Sequence, residues 1–241
     1  MKVLSIGNSF SQDAHRWLHQ LAQANGIALE TVNLYIGGCS LEQHVRFLRD
    51  GSPAYAFECN GEESQRFVSL SEALQSDRYD AVTLQQVSQD SGRYDTYFPY
   101  LTELVAAVQK EQPQAALYWH QTWAYEVDSQ HGGFALYHND QQEMFRCIKE
   151  TAETVARQIG ATLIPTGTVI QKLRKTAPFD YAAGGLSLCR DGFHLTLDYG
   201  RYAAATTWLK TLTGCSPKDQ PFEDFDAALI QQIHRIVTET M

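Results

Sequence analysis

The first ten residues, Met1 to Phe10, constrain this chain more than any other stretch. Val3, Leu4 and Ile6 read as a short buried strand, which Gly7 interrupts. Phe10, Ala14, Trp17, Leu18, Leu21 and Ala22 then recur at helical spacing, so strand passes into helix within about three residues. Ser9 stands at that corner. Backbone N–H groups converge at a helix N-terminus, and the helix dipole favours negative charge beside it. The position suits a hydroxyl that must become an alkoxide-like nucleophile. It equally suits an ordinary N-cap serine, and these ten residues alone leave both readings open.

The same alternation continues along the chain. Asn25-Gly26 stops the first helix, and Ile27 to Tyr35 reads as a second strand leaving into Ile36-Gly37-Gly38-Cys39. Tyr55 to Cys59 followed by Asn60-Gly61 is a hairpin signal, predicting a small β-hairpin inserted between core elements. Asp80 to Leu84 is a third core strand, and Gln85-Gln86-Val87-Ser88-Gln89 brings polar side chains out of its carboxyl end. Ala115 to Tyr118 is a fourth strand ending in the aromatic cluster Trp119 to Tyr125, and Thr162 to Pro165 is a fifth. The stripe Met144, Ile148, Ala152, Val155 and Ile159 marks a long amphipathic helix. Asp198 caps a helix through Leu212, and residues 223 to 240 form one more. Five strands alternating with helices predict an α/β fold: a three-layer αβα sandwich on a mainly parallel, five-stranded sheet. With 241 residues and no linker or repeat, residues 1–241 read as a single domain.

Composition removes several function classes. The net charge is −9 with no basic run, so nucleic acid is not an expected partner. No apolar stretch approaches the roughly 18 residues of a membrane span. The N-terminus enters a strand directly, without the apolar region and cleavage site of a secretory signal, which predicts a cytoplasmic protein. Five widely separated cysteines, without a Cys-x-x-Cys or Cys/His pair at ligand spacing, read as free thiols rather than a disulfide frame or zinc site.

In this architecture Ser9, the Gly37-Gly38 loop, Gln85 to Gln89 and the segment from Trp119 all leave the sheet at one edge, where open α/β sheets bind ligands. Asp191 and His194 lie on a late loop that can reach it. Serine, histidine and an acid are the parts of an acyl-transfer site. Trp123 and Tyr125 are candidates for a substrate wall, suited to a sugar ring or an apolar acyl group, against the alternative that such aromatics simply pack under the loop.

Together these pieces resemble the SGNH (GDSL-type) hydrolase superfamily, from residue 2 to about 212. Gly7-Asn8-Ser9 looks like the first block, Gly-Asp-Ser, with the nucleophile. Gly38 looks like the second-block glycine, whose N–H joins that of Ser9 in the oxyanion hole. Asp191-Gly192-Phe193-His194 looks like the last block, Asp-x-x-His, with acid and base. The resemblance implies a flavodoxin-like SGNH fold and a cofactor-free serine esterase acting on a small-molecule ester. Two departures stand out. The first-block Asp is Asn8, and the third block, Gly-x-Asn-Asp, is replaced by Leu84-Gln85-Gln86-Val87-Ser88-Gln89-Asp90, as in a divergent branch. A glutamine amide then stands in for the missing asparagine: Gln86 is the first choice, Gln89 the one a gapless alignment selects, and Gln85 a third, with Gln85 and Gln89 otherwise expected to touch substrate. A short acyl ester of a carbohydrate is the expected substrate. The alternatives are a lipase or thioesterase of the same superfamily, and a non-catalytic module that binds sugar or protein.

Overall fold

A computed structural model describes residues 1–241. Its centre is β1 (Lys2–Gly7), flanked by parallel β2 (Glu30–Tyr35) and β5 (Ala81–Leu84). β6 (Ala116–His120) and β7 (Thr162–Ile164) continue the parallel sheet outward from β5. Among the parallel strands the order is β2-β1-β5-β6-β7, the flavodoxin-like winding whose order reverses beside β1. Val3 faces one apolar cluster and Leu4 and Ile6 the other, so β1 is buried on both faces and reads as a continuous apolar run.

The sheet has seven strands, not five. The predicted hairpin is present as β3 (Tyr55–Cys59) and β4 (Glu62–Val68), but β3 pairs antiparallel with β2 and extends the same sheet. Asn60 and Gly61 have φ of 54° and 82°, the left-handed pair that a two-residue hairpin turn requires. Glu62, Glu63 and Arg66 charge the outer strand, which discourages pairing with another sheet edge.

The first helical stretch is broken in two, α1 (Ser9–His15) and α2 (Leu18–Ala24). The break turns Trp17 outward, where its indole N–H donates to the Leu197 carbonyl at 2.9 Å. α1 and α2 share their face of the sheet with α7 (Thr166–Leu173), α8 (Tyr199–Thr213) and α9 (Ala227–Thr240). The opposite face carries α3 (Leu41–Asp50), α4 (Leu70–Ser76) and α5 (Tyr100–Glu111), and α6 (Gln141–Ile159) supplies residues to both clusters. No helix is long and apolar enough to cross a membrane.

Candidate active site

Asn8 caps α1, its side-chain carbonyl accepting the Phe10 N–H at 3.0 Å, so Ser9 is the first helical residue. The N–H of such a residue has no partner within its own helix. Gly7 lets strand and helix approach: a Cβ there would lie 2.1 Å from the Ser11 hydroxyl oxygen. Ser9 Oγ is 2.9 Å from His194 Nε2, and His194 Nδ1 is 2.7 Å from Asp191 Oδ2. A carboxylate can only accept, so Nδ1–H donates to Asp191 and Nε2 is left to accept the Ser9 proton. Asp191 Oδ1 also accepts the N–H groups of Phe193 at 3.2 Å and His194 at 2.7 Å, so a single turn carries both side chains together. Partial burial pushes the Asp191 carboxyl up, but these hydrogen bonds outweigh it and hold its pKa below the ordinary value.

This loop is anchored to the helix that begins at Ser9. Asp13, one turn beyond Ser9 and fully buried, accepts the Leu195 N–H at 2.8 Å, Arg190 Nη1 at 3.0 Å and Arg201 Nε at 2.8 Å. Cys189 and Leu195 close the loop with an antiparallel bridge. The Gly192 carbonyl accepts the Glu126 N–H at 2.7 Å, and the Phe193 carbonyl accepts Trp123 Nε1–H at 2.7 Å. Buried charge paired to two guanidiniums and a backbone N–H fixes a loop far better than exposed pairs do.

Trp123 and Tyr125 therefore do not form the substrate wall expected of them. Trp123 is fully buried and stacks on Phe10 with ring centroids 4.1 Å apart. Tyr125 is fully buried, its hydroxyl 2.8 Å from Ser88 Oγ. Large rings at this strand end gain more from burial under the late loop than from exposure at a cleft.

Ser9 and His194 open into a cavity of about 190 Å³, lined also by Tyr35, Gly38, Gln89, His131 and Phe193. Gly38 brings a backbone N–H that is hydrogen-bonded to no other group of the protein. Gln86, the first choice for a side-chain oxyanion donor, is absent from this wall. Its carbonyl accepts the N–H groups of Leu41 at 3.0 Å and Val87 at 2.9 Å, and its amide N–H₂ donates to Thr96 Oγ1 at 3.2 Å. Gln85 is likewise occupied: its Nε2 donates to Asn8 Oδ1 at 2.6 Å, and its Oε1 lies 2.7 Å from His120 Nδ1. Both are buried structural amides. Gln89 does reach the cavity, presented by the single 3-10 turn Ser88–Asp90, and its amide is hydrogen-bonded to no other group of the protein.

Asn8 explains the first-block departure. Its Nδ2 donates to the Cys39 carbonyl at 3.1 Å while its Oδ1 accepts from Phe10 and Gln85. One amide thus joins the serine corner, the Gly38 loop and the end of β5, and an aspartate could not donate to Cys39. His131, a lone histidine in a loop that no sequence motif singles out, also stands on the cavity wall. Its Nδ1 accepts the Gly133 N–H at 3.0 Å, leaving the proton on Nε2, and its ring packs edge-on against Phe193 at 4.8 Å. The Gly132-Gly133 pair after it was the local signal for so tight a turn. The molecule has no cluster of three or more His, Cys, Asp or Glu placed to hold a metal.

Fold and site geometry define the class: an α/β chain with the fold of the SGNH hydrolases. A protein from Slackia heliotrinireducens proposed as an SGNH hydrolase superposes with a TM-score of 0.61 at 20% identity, over 88% of this chain and 98% of that one. A variant of Axe2, an acetyl xylan esterase from Geobacillus stearothermophilus, superposes with a TM-score of 0.54 at 18% identity, over 88% and 94%. Within that class the chain belongs to the DUF4886 family, a domain of unknown function whose model matches residues 2–231. A DUF4886 family protein from Bacteroides uniformis is 37% identical over all of this chain and 94% of its own, with a TM-score of 0.92. No curated protein matches the chain.

Proposed function

We propose that this protein is a serine esterase cleaving short acyl esters, with an acetyl ester of a carbohydrate as its substrate. The observation that carries the reading is the Ser9–His194–Asp191 chain of hydrogen bonds, 2.9 and 2.7 Å, at a helix N-terminus and on the wall of a cavity. Ser9 attacks the ester carbonyl as its proton passes to His194 Nε2, and Asp191 holds the ring and offsets the imidazolium charge. The N–H groups of Ser9 and Gly38 and the Gln89 amide receive the oxyanion. His194 returns its proton to the departing alcohol, then activates the water that releases the acid and regenerates Ser9. A cavity of about 190 Å³ suits an acetyl group and leaves little room for a long chain. The acetyl xylan esterase among the structures of like fold is consistent with that chemistry.

Turnover of p-nitrophenyl acetate, butyrate and octanoate, run beside Ser9→Ala, tests the proposal. Acetate should be the best substrate and Ser9→Ala inactive, with Ser9 labelled by a fluorophosphonate. Equal turnover by the wild type and Ser9→Ala would sink the reading and leave a binding module; preference for octanoate would retain the serine and replace the acyl group.

A further inference from the structure

A second cavity of about 380 Å³ lies between α1 and the β3–β4 hairpin, and no apolar side chain lines it. Gln12, Arg16, Glu58, Glu62, Glu63 and Arg201 form its walls. Two elements, α1 and the β2–β3 pair, contribute residues both to it and to the Ser9 pocket. Gln12 follows Ser9 by three residues on α1, so the two share a helix face. Tyr35 lines the Ser9 pocket and pairs with Ala56, while Asn33 pairs with Glu58, which makes Tyr35 and Glu58 diagonal neighbours on one face of the sheet. The Tyr35 phenol registers that proximity: burial raises its pKa, and the charges of Glu58 and Glu63 raise it further.

The groups on this trough are partly committed and partly free. Arg16 pairs with Glu62 at 2.9 Å. Glu58, only 3% exposed, accepts the amides of Gln12 and Asn33. Arg201, which also lines the trough, spends its Nε on Asp13 at 2.8 Å, and its two terminal nitrogens make no hydrogen bond within the protein. Glu63 has no ion-pair partner and supplies a free carboxylate. The trough thus brings guanidinium and carboxylate groups into one cavity.

We infer that this trough binds the alcohol portion of the substrate as a polyhydroxylated ring, while the acyl group occupies the smaller cavity at Ser9. The inference rests on the esterase reading above. Hydroxyls both donate and accept, so neighbouring hydroxyls can receive Arg201 N–H groups and donate to Glu63 or Glu58. An anionic leaving group would face three carboxylates. An apolar alcohol would strip water from all of them without replacing a hydrogen bond.

The test compares two acetates of similar ring size, monoacetylated methyl glucoside and cyclohexyl acetate, in the wild type, Glu63→Ala, Arg201→Lys and Ser9→Ala. The wild type should favour the glucoside ester in kcat/KM by at least tenfold. Glu63→Ala, at an exposed position, and Arg201→Lys, which keeps a cation beside Asp13, should each cut that ratio severalfold or more. Active wild type with a ratio near one, or a ratio unchanged in both variants, would overturn the trough assignment while leaving the esterase intact. Ser9→Ala matching the wild type on both esters would remove the esterase and the trough's role with it.

Discussion

Replacing Asn8 by aspartate restores the residue type of the SGNH first block, and this structure predicts that the change is harmful. Asn8 is 1% exposed, and its Nδ2 donates to the Cys39 carbonyl, next to Gly38, at 3.1 Å. Aspartate keeps the bonds from Phe10 and Gln85 but puts a carboxylate oxygen against that carbonyl. The lost bond costs about 1 kcal/mol, and two buried acceptors left facing one another add about 1–3 kcal/mol. The sum, roughly 2–4 kcal/mol, corresponds to a fall in Tm of about 5–15 °C for a chain of this size. Relief of the repulsion moves the Cys39 peptide, and with it the Gly38 N–H that the proposed mechanism turns toward the oxyanion. Loss of one such donor is worth about 3 kcal/mol, or roughly a hundredfold in kcat, with KM little changed. Steady-state hydrolysis of p-nitrophenyl acetate beside a thermal melt measures both. An Asn8→Asp enzyme within threefold of the wild type in kcat would refute the idea that this amide seats the oxyanion hole.

The remaining predictions concern the glutamines, the loop anchor and acid stability. Gln89→Ala should lower kcat on p-nitrophenyl acetate about a hundredfold while leaving Tm nearly unchanged; Gln86→Ala should lower Tm because it orphans the Leu41 and Val87 N–H groups, and a slow Gln86→Ala beside a normal Gln89→Ala would reverse the assignment. Asp13→Asn leaves Arg190 and Arg201 without their shared carboxylate and should cost about 3–5 kcal/mol in urea unfolding, together with a loss of kcat; an unchanged unfolding midpoint would show that the anchor carries no weight. Burial holds His15, His44 and His120 at pKa values of about 3, with the nearby His15 further lowering His120. Unfolded, they take up protons near pH 6.5, so stability should fall as pH drops below that value, by as much as about 4 kcal/mol per pH unit once all three titrate. Glu58, raised by burial, offsets part of this. A urea midpoint that stays constant from pH 7 to pH 5 would contradict the assignment.

How much of this was legible in the sequence depends on the range of the forces involved. Strand and helix alternation, the Ser9 corner and the Asn60-Gly61 turn follow from local periodicity and backbone conformation, which a chain carries in itself. Asp191 and His194 were legible for the same reason, since a three-residue spacing lets one turn present both. The hairpin was also visible, but not that its strands join the main sheet, because edge pairing with β2 is a long-range choice. Side-chain destinations beyond the strand ends were invisible. Gln85, Gln86 and Gln89 are chemically the same. Only the backbone path through Val87 and the Ser88–Asp90 turn sends Gln89 to the cavity and seals the other two inside. Trp123 and Tyr125 look alike as wall or as core until the late loop is seen to cover them. The sequence alone determines which groups can do acyl-transfer chemistry and roughly where they leave the sheet. Tertiary structure decides which of them face the cavity, because a buried polar group must take whichever partner the packed chain brings within hydrogen-bond reach.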